Sequence, residues 1–569
     1  MAAPYEALSA EPRTEKWFVC PYEAEGFKGK MLVAPNGVNV PEVTIPLNAG
    51  GPHEIRLGIY YGHTPFVQAA ISSDPTARQF IRVRLSDEHW FDVVESEQYA
   101  RKDGSYPDKE VGLSEMLEVR WRCTDLGGRG ITIAAVPWES VRGTLASLAY
   151  VRLVPLEGEK CAAFERERVR DETKRLVAIF DGTFYGCFPS DEDQLRSLLE
   201  PMRESDFALV LWATSRLDAC YYFSNVGTPL KPLPDGVLNR RSLITRSFQA
   251  WVERGDDPLE VVTRIAHECG LSIYGSMRLA GIDFPPYSDF HGAPTFMQRH
   301  PEFWCVDENG SRVPHVSLTF PEVRQLIVSL FREQVERYDL DGVHLLFNRS
   351  FPFVLYEKPF VKAFAERYGT DPRALDRMDE RLWNERARYV TALLRELRQT
   401  LDEVGTRRGR RLGLAVHVLN SVRHCRYFGL DVGTWAREGL VEHVVVFPCH
   451  SVEAFEPGDV RPELLAQFVR WVEGTDVRVY ADVYPRRFPP ERILERGLSY
   501  YRAGVDGLCF WDTYARLWRK SEWAMIRLMG HRNELGTWRE HARSFWRKVP
   551  VRSIHGISLD RRYGVQTHG

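Results

Sequence analysis

Neither sign of charge is in excess here: 75 Lys and Arg stand against 78 Asp and Glu, a formal net charge of -3. Without a basic field to displace counterions from phosphates or to hold an anionic bilayer, nucleic acid and membrane are excluded as expected partners. Long apolar runs are also missing, and a bilayer span needs about 20 such residues. Met1 to Trp17 carries Pro, Glu and Arg where a secretory leader needs an unbroken apolar stretch, so a cytoplasmic protein is expected. The 10 cysteines occur singly, with no C-x-x-C pair, and read as reduced, mostly buried thiols. The 16 histidines show no metal spacing, so no catalytic metal is expected. No G-x-G-x-x-G follows a strand, and neither G-x-x-x-x-G-K-[ST] nor G-x-S-x-G occurs. Nucleotide cofactors and serine-esterase chemistry therefore have no support, and no cofactor is expected.

What is present is the balance of a folded chain, 44% hydrophobic and 27% charged over 569 residues, long enough for two to four domains. Residues 1–156 hold short alternating runs such as "EIRLGIYYG", "QFIRVRLSD" and "LEVRWRC", punctuated by Gly, Pro, Asn and Asp. Period-two strands with turn signals predict an all-β, jelly-roll-like sandwich. Residues 157–174 are dense in Glu, Arg and Lys and read as a linker or short exposed helix.

Across residues 175–545 the texture becomes apolar runs separated by stretches of helical length. The runs are "LVAIFDG" at Leu176, "FALVLWAT" at Phe207, "LSIYGSMR" at Leu271, "DGVHLLFNR" at Asp341, "LGLAVHVLN" at Leu412, "HVVVFP" at His443, "VRVYADVYP" at Val477 and "VDGLCFWD" at Val505. Eight such runs, followed by helices such as Glu322 to Tyr338 and Asp379 to Val404, predict a (β/α)8 TIM barrel. The tail, 546–569, holds from Val551 a strand-like stretch suited to docking on the first domain.

In a closed barrel one parity of each strand faces the lumen, and polar residues of that parity near a C-terminal end are candidate site residues. Strand seven then turns Arg478, Tyr480, Asp482 and Tyr484 inward. Strand five turns Gly413, Ala415 and His417, and strand three turns Ser272, Tyr274, Ser276 and Arg278. Strand four has the outline of the D-G-x-D-x-D-x-E strand of chitinase-like barrels, with His344, Leu346 and Asn348 in place of the acids. Glycoside hydrolysis needs two carboxylates flanking the bond. Asp482 and Glu357 are the preferred pair, Glu357 from a Pro- and aromatic-rich loop expected to fold back over the mouth. Asp181 and Asp512 stand in reserve, and Asp289 or His291 could arrive from the third loop. Trp212 and Trp511 are placed to stack a sugar ring, while Arg278, Asn348, Arg349 and His417 hold hydroxyls or a carboxylate.

The pieces "RLVAIFDG", "QRHPEFWCVDENG" with "LTFPEVR", "YDLDGVHLLFNRSFPFVLYEKPF", "GLDVGTWAREGLVEHVVVFP" and "YYRAGVDGLCFWD" resemble the glycoside hydrolase-like (β/α)8 proteins of bacteria, built from an N-terminal β-sandwich and a barrel. That resemblance implies a carbohydrate substrate and a cleft lined by Asn348, Arg349, Tyr356, Glu357, Asp482, Trp511 and Asp512. Where retaining barrels place a Glu at the ends of strands four and seven, this chain has Asn348 and Asp482.

The leading expectation is a glycosidase acting on oligosaccharides or glycosides, with Glu357 as general acid, Asp482 as nucleophile or base, and Tyr480 and Tyr484 beside it. Two others stand: a non-catalytic carbohydrate-binding protein, and a lyase or isomerase using His417 and a Tyr on a uronate or keto-sugar. The sequence leaves a homo-oligomer open.

Overall fold

The computed structural model describes residues 7–11, 13, 15–60, 79–95, 115–142, 144–167, 169–181, 189–230, 240–279, 295–448, 460–484, 489–538 and 546–559. Its N-terminal part consists of antiparallel strands in two sheets. The larger sheet runs Leu145–Leu148, Phe27–Pro35, Trp17–Ala24, Trp546–Ile554, Glu115–Asp125, Pro52–Tyr60 and Tyr150–Pro155. The smaller one runs Val43–Ile45, Ile131–Ala134, Phe80–Leu85 and Asp92–Glu95. Alternate residues meet in a common core, with Ile55, Leu57, Ile59, Leu117 and Val119 on one side and Ile81, Val83, Leu85, Ile131 and Ile133 on the other. This is the burial that period-two patterning encodes.

One strand of this part comes from the far end of the chain. Trp546–Ile554 lies between Trp17–Ala24 and Glu115–Asp125 and pairs antiparallel with both. Glu118 anchors it from the neighbouring strand: its carboxylate accepts from Arg547 Nε at 2.9 Å and Nη2 at 3.0 Å, and from the Tyr150 hydroxyl at 2.8 Å. Burial opposes ionisation of Glu118, but these donors outweigh it and hold its pKa below the ordinary value.

Residues 176–511 contain the eight strands that the apolar runs predict: Leu176–Phe180, Phe207–Arg216, Ser272–Arg278, Gly342–Leu346, Gly413–Val418, His443–Val446, Arg478–Asp482 and Gly507–Trp511. All pair in parallel, and strand one bonds both strand two and strand eight, which closes the ring. Helices flank it, among them Pro321–Arg337 and Glu380–Arg408, close to the expected bounds. The latter starts at an Asp379 N-cap that accepts from Arg381 N and stops at Gly409, whose φ of 67° is the left-handed cap geometry glycine favours. In the charged connector, Glu159–Arg166 is a helix with no buried residue.

The lumen is packed by large and small residues at the same level. Tyr274 and Tyr480 fill it near the N-terminal end. A Cβ on Gly413 would fall on the Tyr274 hydroxyl, and one on Gly507 would lie 2.7 Å from the Tyr480 ring. His443 packs between the two, its ring centroid 5.9 Å from Tyr274 and 5.6 Å from Tyr480.

The β-rich part and the barrel share a core. Trp518, after strand eight, meets Phe80 edge-on at 5.8 Å and Trp138 at 5.8 Å. Beside it the buried Lys520 ammonium pairs with Asp92 at 3.2 Å.

Two predictions follow from this packing. Trp518→Ala is expected to cost about 3–5 kcal/mol, read as a lower urea midpoint; a loss under about 1 kcal/mol would show that this contact does not couple the two parts. The second concerns acid. Burial holds His424 near 4, and burial with Arg478 nearby does the same for His443, against the ordinary 6.5. Below pH 6.5 the unfolded chain therefore binds more protons than the folded one, and stability falls from there to about pH 4. At pH 5 each costs about 1–2 kcal/mol. The wild-type urea midpoint should drop between pH 7 and pH 5 more steeply than that of His443→Phe, and equal slopes would contradict the assignment.

Candidate active site at the barrel mouth

Lumen parity delivers Tyr480 and Asp482 of strand seven, His417 of strand five and Ser276 of strand three to the interior. There they form a polar column within an apolar ring. Ser276 Oγ lies 2.7 Å from His344 Nδ1, and His344 Nε2 lies 2.7 Å from His417 Nδ1. His417 Nε2 in turn lies 3.8 Å from Cys509 Sγ. Burial pushes His344 down to about 3, and burial followed by the neighbouring His344 holds His417 well below the ordinary value. Both rings are thus neutral near pH 7. Each has one N–H and one bare nitrogen, so the column must run with a single hydrogen-bond polarity. Burial, reinforced by Asp482 alongside, raises the Cys509 thiol well above its usual range. Asp482 itself is fully buried, level with Cys509 in the strand register.

Trp511 lies one lumen position above Cys509 and forms the next layer. Its ring stands 4.4 Å from Phe447 and 5.5 Å from His417. The Arg349 guanidinium sits over both aromatic rings, at 5.2 Å from Trp511 and 5.4 Å from Phe447. Tyr484 is half-buried beside Phe447, their centroids 6.0 Å apart. Across the ring, Arg278 Nη2 donates to Asp181 at 2.7 Å, both side chains buried. Burial lowers Arg278 to about 10; Asp181 counters this, while Arg216 and Arg349 add to it, so three guanidiniums share this end of the barrel.

Asn348, next in the inward parity of strand four after Leu346, is 1% exposed. Among the described residues, neither its Oδ1 nor its Nδ2 has a hydrogen-bond partner. A buried, unsatisfied carboxamide is costly and calls for a partner. Asp512 takes the left-handed conformation, φ 51° and ψ 49°, at the N-cap of Thr513–Trp518. For a residue with a Cβ such a conformation costs about 1–3 kcal/mol and clusters at functional sites.

Three expected residues stand elsewhere. Trp212 belongs to the outer layer, packed on Phe180 at 5.0 Å, while Leu209 and Leu211 supply the lumen side of strand two. Glu357 does not fold over the mouth. It is the N-cap residue of Lys358–Tyr368, and its carboxylate accepts from Val306 N at 3.1 Å and from Leu355 N at 3.1 and 3.2 Å. Burial raises its pKa and these N–H groups partly restore it. Tyr356 lies with it in the outer core, its ring 5.9 Å from the Arg386 guanidinium. Asp289 and His291 lie outside the described residues. Sequence reasoning set aside Cys509 as one scattered thiol and gave His344 no role, although the parity that placed Trp511 and Asn348 inward places them inward too.

Glu357→Gln should therefore loosen the hairpin Trp304–Val306/Arg312–Val316 and cost about 1–3 kcal/mol in urea denaturation, with kcat on any turned-over glycoside within a factor of about three. A loss of kcat by about 100-fold or more at unchanged stability would return Glu357 to the chemistry.

Residues 234–462 match the family model described as Glycosyl hydrolase-like 10. No curated protein matches the chain. Among solved structures it is similar to alpha-L-fucosidase isoenzyme 2 from Paenibacillus thiaminolyticus, at 13% identity over 65% of this chain, with a TM-score of 0.38; the match spans 50% of the fucosidase chain. It is also similar to the PgaB (BpsB) glycoside hydrolase domain from Bordetella bronchiseptica, at 14% identity over 62% of this chain and 98% of that one, with a TM-score of 0.40. A glycoside hydrolase family 18 N-acetylglucosaminidase from Paenibacillus barengoltzii matches at 13% identity over 63% and 99%, with a TM-score of 0.33. The segment bearing barrel strands three to six is thus glycosyl hydrolase-like.

Proposed function

We propose that the chain is a glycosidase acting on oligosaccharides or glycosides bound in the barrel mouth above Trp511. The observation that carries this reading is the Asn348 carboxamide, a buried group with no hydrogen-bond partner among the described residues and able both to donate to and to accept from a sugar hydroxyl. Arg349 and the Asp181–Arg278 pair add oriented donors and acceptors beside it, and the Trp511 edge gives an apolar floor.

Hydrolysis needs one carboxyl group to protonate the leaving oxygen and a second to attack or to activate water. With Glu357 occupied by backbone N–H groups, we assign these roles to the two mouth residues held in reserve. Asp181, whose ion pair with Arg278 suits the negatively charged role, is the nucleophile or base, and Asp512, directly after the adjacent strand eight, is the acid. Asp482 lies one layer lower, beneath Trp511, and supports the site from below. A second reading, a carbohydrate-binding protein without turnover, draws on the end of strand four, where a carboxamide stands and no acid.

Kinetics on a panel of aryl glycosides and oligosaccharides test the assignment. Asp181→Asn and Asp512→Asn are each expected to lower kcat by at least about 1,000-fold, and Asn348→Ala to raise KM about 10-fold with a smaller change in kcat. Turnover that survives both carboxylate substitutions would refute the pair. Calorimetric binding of an oligosaccharide that wild type never cleaves would favour the second reading.

A further inference from the structure

Beneath the Trp511 layer, outside the chemistry just assigned, three side chains from three strands converge. A ring nitrogen of His417, a carboxylate oxygen of Asp482 and Cys509 Sγ all lie within 4.8 Å of one another, and all three residues are fully buried. Imidazole nitrogen, thiolate sulfur and carboxylate oxygen are the donors that zinc accepts, at about 2.0–2.1, 2.3 and 2.0–2.2 Å. Two such donors at a tetrahedral angle stand about 3.3–3.6 Å apart. The His417–Cys509 separation of 3.8 Å therefore needs to close by only a few tenths of an ångström.

The surroundings carry the argument further. A metal-bound imidazole needs its second nitrogen protonated and fixed by a hydrogen bond. His417 has that arrangement: bound through Nε2, it must carry its proton on Nδ1, which faces His344 Nε2 at 2.7 Å. His344 must then carry its own proton on Nδ1, facing the Ser276 hydroxyl oxygen at 2.7 Å. Metal binding would thus select one of the two polarities open to the column, and every N–H in it would meet an acceptor. The charges also close. A dication displaces the thiol proton to solvent, and thiolate, carboxylate and metal sum to zero in the dry lumen. Three protein ligands leave a fourth position, the stoichiometry of an open zinc site.

We propose that His417, Asp482 and Cys509 form a binding site for a single zinc-class dication, with His344 and Ser276 as the positioning residues that fix its imidazole ligand. The site spans strands five, seven and eight, and so would also brace the ring from within.

The full-length protein, stripped with chelator and titrated with cobalt(II) chloride and separately with zinc chloride, tests this. One equivalent is expected to bind, either metal releasing a proton on entering the metal-free protein, cobalt producing a thiolate-to-metal charge-transfer band that zinc abolishes by displacement. Cys509→Ser should remove the band. His344→Gln should keep the band but weaken zinc affinity about 10–100-fold in competition with a chromophoric chelator, an effect a merely structural histidine would not produce in a variant with unchanged circular dichroism. Should Cys509→Ser fail to fold, Ser276→Ala replaces it, with weakened affinity expected and unchanged affinity counting against the positioning chain. Wild-type protein binding less than a tenth of an equivalent at millimolar metal, or binding that persists undiminished in Cys509→Ser, would overturn the proposal. Because each readout is binding of the metal alone, failure here leaves the glycosidase assignment standing, and the reverse holds equally.

Discussion

Closure of the strand ring governs the rest of this structure. Strand one pairs with both strand two and strand eight, so no edge is left, and every strand sends alternate residues into a space that only side chains can fill. That geometry sets sizes as well as directions. Tyr274 and Tyr480 occupy one level because Gly413 and Gly507 leave room for them. Above them the interior turns polar, and there each group must find its partner within the ring.

The lumen is thereby divided into two compartments. Trp511, Phe447 and the overlying Arg349 form a partition, with the His344–His417–Cys509 column and Asp482 beneath it and the mouth with Asn348, Asp181 and Arg278 above. The lower compartment is packed with short-range contacts, Ser276 to His344 and His344 to His417 at 2.7 Å each. In the upper one the Asn348 carboxamide has no hydrogen-bond partner among the described residues, and in the proposed reading a sugar hydroxyl supplies it.

Most of the architecture was legible in the sequence, because period-two patterning and apolar runs report burial directly. All eight barrel strands lie at the expected runs, and Tyr480, Asp482 and His417 face inward as their parity indicates. Parity failed where both faces of a strand are apolar: in "FALVLWAT" nothing distinguishes the lumen side from the helix side, and Trp212 went to the helices. Glu357 was misplaced for a different reason. A loop carboxylate can satisfy backbone N–H groups as readily as it can reach a cleft, and only the fold shows that Val306 and Leu355 claim it. Spacing along the chain also could not reveal a cluster whose members, His417, Asp482 and Cys509, are dozens of residues apart and meet only because the ring curves.

The strand Trp546–Ile554 has a consequence for how the protein is made. It occupies an interior place in the larger N-terminal sheet, and Arg547 reaches a carboxylate 429 residues earlier in the chain. During synthesis the strands Trp17–Ala24 and Glu115–Asp125 leave the ribosome long before the segment that separates them. For that interval two apolar edges stand open, the condition in which strands pair wrongly with each other or with neighbouring chains. The newborn N-terminal part must therefore wait, incomplete, while the barrel strands that precede Trp546–Ile554 are translated, and the barrel's synthesis sets how long its sheet stays open.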